Sequence, residues 1–70
     1  MMPILYANQG EENIIRKVGG SAEVKRHLED LGFTPGAVVT LVSSLGGNVI
    51  VKIKESRIAL DKEMAGKVMI

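Results

Sequence analysis

The chain has no cysteine and a single histidine in seventy residues. Disulfides and thiolate metal sites are therefore excluded as staples, and so is a histidine-rich metal site within one chain. A chain this short buries only about 60% of the surface its unfolded form exposes. Core packing alone must hold it. Val, Ile, Leu and Phe number 22 of the 70 residues, well above the level at which disorder sets in. The sequence thus predicts one folded domain spanning residues 1–70.

Valine and isoleucine make up 15 of those residues, and the aromatics are only Tyr6 and Phe33. Side chains branched at Cβ are stiff and suit a pleated, half-buried surface. Eight glycines punctuate the chain. The expectation is a mainly β fold of short strands and many turns.

Residues 7–13 are polar and read as a turn leading into a strand, Ile14-Ile15-Arg16-Lys17-Val18, which Gly19-Gly20 ends. The one convincing helix follows. Ser21 can cap its exposed amides, and Glu23 suits the positive end of its dipole. Val24, Leu28 and Leu31 fall at i, i+4 and i+7, an apolar stripe predicted to lie on the sheet. Gly32 and Phe33 stand where a left-handed cap and its hydrophobic partner belong. Thr34-Pro35-Gly36-Ala37 has the chemistry of a type II turn.

Val38–Val42 reads as a strand, Leu45–Asn48 as a hairpin loop, and Val49–Lys54 as the return strand. In that strand Val49, Val51 and Ile53 face one way and Ile50, Lys52 and Lys54 the other. Glu55-Ser56 reads as a turn, and Arg57–Leu60 as a strand. Asp61–Ala65 reads as a helical turn capped by Asp61, and Lys67–Ile70 as a closing strand. About five short strands, with one helix after the first and a helical turn before the last, suggest a small closed barrel. Val38–Val42 is apolar on both faces apart from Thr40. Its second face is expected to be covered from within, by the helix or by the apolar start Met2–Tyr6, ahead of being offered to a partner.

The order of these pieces resembles the FeoA family of bacterial ferrous iron transport. The resemblance is carried by Leu28-Glu29-Asp30-Leu31-Gly32-Phe33-Thr34-Pro35-Gly36-Ala37 and by Ser56-Arg57-Ile58-Ala59-Leu60-Asp61-Lys62-Glu63-Met64-Ala65. Val68 and Ile70 match its closing strand, and Gly10 and Gly20 fall where family members carry glycine. It implies an SH3-like barrel. It also implies a cytosolic accessory role, through association with the FeoB permease and its GTPase domain. The same barrel closes iron-dependent repressors resembling the diphtheria toxin repressor. A metal-responsive regulatory module that binds transition metal ions is therefore the alternative. No helix-turn-helix accompanies the barrel here, so the transport reading leads.

Glu23, His27 and Asp30 share one helix flank, and imidazole with carboxylates suits ferrous iron. Against that, Lys25–Glu29 and Arg26–Asp30 are opposite-charge pairs of a water-facing helix. Weak metal binding or none is expected, with no cofactor. No phosphate loop is present, and His27 is the only conceivable base, so no catalytic residue is assigned and no enzyme activity is expected. With two aromatics, a groove for proline-rich peptides is not expected. Nine basic residues against eight acidic, a net charge of +1, give no phosphate-binding stripe, so no nucleic acid partner is expected.

No apolar run is long enough for a membrane span, and the start lacks the basic residues of a signal peptide. The expected location is the cytoplasm, as a monomer or weak dimer, reaching the membrane only through the partner. Partner contact is expected first at Lys25, Arg26 and Glu29 on the helix flank. The hairpin tip, Gly46 and Gly47, comes second.

Overall fold

A computed structural model describes residues 1–70. Its elements are a 3-10 turn at Ile4–Tyr6, β1 (Glu12–Ile14), β2 (Lys17–Val18), α1 (Ala22–Asp30), β3 (Val38–Leu45), β4 (Asn48–Ile53), β5 (Ser56–Leu60), α2 (Lys62–Ala65) and β6 (Val68–Met69). Four strands form an antiparallel sheet in the order β1-β3-β4-β5, and β2 pairs with β6 in a second, smaller sheet. The fold is mainly β, with six strands rather than five. No single ladder runs round a closed barrel; two sheets share one core.

The expected strand Ile14–Val18 is divided, and the reason lies at Ile15. Its side chain is buried. Its N–H donates to the Ala37 carbonyl (2.9 Å), and its carbonyl accepts from the Gly36 N–H (2.8 Å). The next amide, Arg16, donates instead to Met69 (2.8 Å). The chain therefore leaves one sheet and joins the other at this corner. As a result α1 follows the second strand.

The helix begins as expected: the Val24 N–H donates to Ser21 Oγ (3.2 Å). Its end corrects the predicted stripe. The Phe33 N–H donates to the Leu28 carbonyl and the Gly32 N–H to Glu29, both at 3.0 Å, with Gly32 at φ 103°. This pair of hydrogen bonds is the Schellman closure, which needs a residue that tolerates positive φ. It folds Phe33 back into the core at 0% exposure, and Leu31 is left 37% exposed. Phe33 thus takes the place expected for Leu31. The Pro35-Gly36 turn is formed as read, with the Ala37 N–H donating to Thr34 (3.0 Å).

β4 keeps strict alternation, with Val49, Val51 and Ile53 buried. β3 is longer than expected and carries a bulge between Leu41 and Ser43. A bulge shifts which side chains face inward. Val39 and Leu41 enter the core, and Val42 is half-buried. The expected internal cover does not reach Val38, which is 48% exposed beside its partner Ile14. The apolar start goes elsewhere: Ile4 is fully buried in the core.

The turn after β4 is Lys54-Glu55, and Ser56 already belongs to β5. Lys54 is the one non-glycine residue at positive φ, 54°. Such a conformation costs an L-residue about 1–2 kcal/mol, and glycine would regain part of it. Lys54→Gly is expected to raise the midpoint of a thermal melt by roughly 4 °C. An unchanged or lower midpoint would count against strain at this turn.

Candidate functional site

The core contains no polar or charged residue; all fourteen buried residues are apolar. Every charged side chain capable of chemistry is therefore at the surface, and any site must be built there. The helix α1 lays Leu28 into the core and Val24 against it. Its remaining positions face water. Glu23, His27 and Asp30 are all exposed along one flank, and Lys25, Arg26 and Glu29 along the rest. No group of three His, Asp or Glu side chains is gathered to share a metal ion.

The hairpin tip is held more firmly than a loop reading suggests. Asn48 Oδ1 accepts from the Lys62 N–H (3.2 Å), which ties the hairpin to the start of α2. Asp61 Oδ1 caps the same helix by accepting from the Met64 N–H (2.8 Å). Gly46 is exposed, while Gly47 is half-buried. A Cβ placed on Gly47 would come within 3.0 Å of Lys62 Cδ, so the tip lies against the lysine stem. Next to it, Leu45 is 86% exposed.

On the outer face of the four-stranded sheet, Lys52, Lys54 and Arg57 read from sequence as a solvated cluster, with no site assigned to them. The signal was nonetheless present, because alternation already set Ile50 on the same side as Lys52. Ser43, Leu45, Ile50 and Ala59 line a shallow hollow of about 300 Å³ at the hairpin end. A second hollow of about 220 Å³ lies among Glu12, Val38, Thr40, Lys52 and Lys54. The two aromatics are far apart in role: Tyr6 is 67% exposed and Phe33 is inside. They share no ring-lined groove for proline. What this arrangement can do is bind through open surfaces of mixed apolar and charged character.

The decisive comparison covers almost the whole chain: the profile of the FeoA domain matches residues 2–70. The chain belongs to the FeoA family. Its relatives include a protein of Methanocaldococcus jannaschii that carries the name Fe(2+) transport protein A. The two are 30% identical over 70 residues, 100% of this chain and 85% of that one.

Among solved structures, the iron uptake regulatory protein FeoA superposes with a TM-score of 0.85 at 28% identity. The match covers 96% of this chain and 89% of that chain. FeoA of Stenotrophomonas maltophilia, solved with zinc and described as a prokaryotic SH3 domain protein, gives 0.85 at 24% identity over 99% and 88%. A manganese-dependent transcriptional repressor gives 0.83 at 12% identity, over 97% of this chain and 41% of that one. The last two likenesses speak for the fold alone. For this FeoA-family chain they agree with the two-sheet SH3-like architecture.

No helix is long and apolar enough to cross a membrane. The longest, α1, has nine residues.

Proposed function

We propose that this FeoA-family protein is a non-enzymatic accessory factor of ferrous iron uptake. It works in the cytoplasm by binding a FeoB-type permease at its cytosolic GTPase domain. The family match over residues 2–70 carries this reading, and the Fe(2+) transport name of the M. jannaschii relative supports it. The all-apolar core supports a surface role: its exposed charged flank and hairpin are suited to contact.

The α1 flank with Lys25, Arg26 and Glu29 is the first contact in this proposal, and the Gly46-Gly47 tip the second. Charges at an interface rim steer association and fix register. Reversing two of them, Lys25→Glu with Arg26→Glu, is expected to weaken binding to the permease GTPase domain about tenfold, equivalent to about 1.4 kcal/mol. A calorimetric titration measures this. Unchanged affinity would remove the α1 flank and leave the hairpin tip as the contact.

One observation favours a second reading, a metal-responsive regulatory module: the FeoA structure at 28% identity is named an iron uptake regulatory protein. Under that reading Glu23, His27 and Asp30 would hold a transition metal ion. Micromolar ferrous or zinc binding that is lost in His27→Ala would favour it over the transport role.

A further inference from the structure

The outer edge of β5 is open. No strand lies beyond it in the sheet. The Lys54-Glu55 turn is closed by the pair Ile53 and Ser56. Hydrogen-bonded and non-bonded pairs alternate from there along an antiparallel ladder. Ser56, Ile58 and Leu60 therefore aim their backbone groups at β4, and Arg57 and Ala59 aim theirs outward. Neither of those two bonds to any other element through its backbone. Both residues are exposed. Unpaired edge groups of this kind are a template for another strand.

The side chains beside that edge add chemistry. Arg57 stands directly opposite Lys52, and Ala59 opposite Ile50. Like charges facing across a non-bonded pair, where side chains come closest, repel. The five side-chain hydrogen bonds of the molecule all lie elsewhere. In the same row the acidic residue is Glu12, paired with Thr40 and so two strands away from Lys52. One step along the same face, the hollow of about 300 Å³ opens between Leu45, Ile50 and Ala59. A basic pair and an apolar hollow thus lie two residues apart along the edge, the repeat of one face of a strand.

We propose that the β5 edge receives an extended peptide segment as an added antiparallel strand. An acidic side chain of that segment meets Lys52 and Arg57, and an apolar one enters the hollow at Ala59. Because the added strand runs opposite to β5, its motif reads apolar-x-acidic. Charge selects this occupant over a second copy of the chain, whose own β5, Ser56–Leu60, carries no acidic side chain to set against Lys52 and Arg57. The proposal goes beyond the permease reading and needs no particular partner.

The test uses the full chain, labelled with nitrogen-15, and two synthetic heptapeptides. One is Ser-Thr-Leu-Val-Glu-Thr-Ser; the other has lysine in place of glutamate. The expected result is shifts centred on the Arg57 and Ala59 amides, with the glutamate peptide bound at least tenfold more tightly. In the double variant Lys52→Glu with Arg57→Glu, the preference should reverse. Ala59→Pro removes one outward N–H and leaves the β4–β5 ladder intact, and it should abolish binding of both peptides. If that variant does not fold, the charge-reversed arms decide. Absent shifts, shifts that map elsewhere, an unreversed preference, or dimerisation through β5 would each overturn the proposal. None of these outcomes bears on binding to the permease domain, which is measured separately.

Discussion

Phe33→Ala is expected to leave little folded protein at physiological temperature. Phe33 is wholly buried, and it is the largest such side chain in the molecule. Truncating a buried phenylalanine costs about 3–5 kcal/mol, through lost burial and the cavity left behind. A domain of this size has a total stability of roughly 3–10 kcal/mol. There is no disulfide to limit the loss. The same residue also completes the closure of α1, since its amide bonds to Leu28. Thermal melts followed by circular dichroism should show the midpoint falling by about 15 °C or more. Leu31→Ala is the internal comparison. Leu31 is 37% exposed and should cost about 1 kcal/mol or less. Equal losses at the two positions would contradict the placement of Phe33.

The second large effect is expected at Ile4. This residue lies in a 3-10 turn of three residues, an element with little stability of its own. It is nevertheless fully buried. The segment is fastened to the last strand: the Met2 N–H donates to Ile70 (3.0 Å), and the Ile70 N–H donates back to Met2 (2.8 Å). Pro3 is also bridged to Met69. Ile4→Ala should therefore cost about 2–4 kcal/mol in urea denaturation. Ile14→Ala, at a side chain 55% exposed, should cost well under 1 kcal/mol. A loss at Ile4 no larger than that at Ile14 would mean that the segment is a tether and not part of the core.

The difference between Ile4 and Ile14 shows where sequence reading reaches its limit. Local chemistry was legible. Ser21 and Asp61 cap the helices they were assigned, and Pro35-Gly36 and Gly46-Gly47 turn the chain where expected. The alternation of Val49, Val51 and Ile53 gave the buried face of β4. What was not legible depends on distant partners. Ile14 and Ile15 are chemically identical neighbours, and only the corner between two sheets decides that Ile15 goes inside. Gly32 and Phe33 close the helix as their chemistry indicates, but the helical period alone does not reveal that this closure leaves Leu31 37% exposed. Val38 was expected to find cover, yet the start of the chain spent its one buried isoleucine elsewhere.

The candidate surfaces follow the same rule. The charged residues of α1 could be listed from spacing alone, but spacing does not distinguish a contact from a solvated flank. The β5 edge was harder still. Arg57 and Ala59 were visible as strand residues. Their unpaired backbone groups follow from strand order, which no local pattern reveals.

The central claim is that this FeoA-family chain acts by binding a permease. Titrating the full chain into the isolated cytosolic GTPase domain, with and without guanine nucleotide, tests it most directly. The account predicts saturable binding in at least one nucleotide state, weakened about tenfold by Lys25→Glu with Arg26→Glu. No binding in either state, with both proteins shown to be folded, would contradict it.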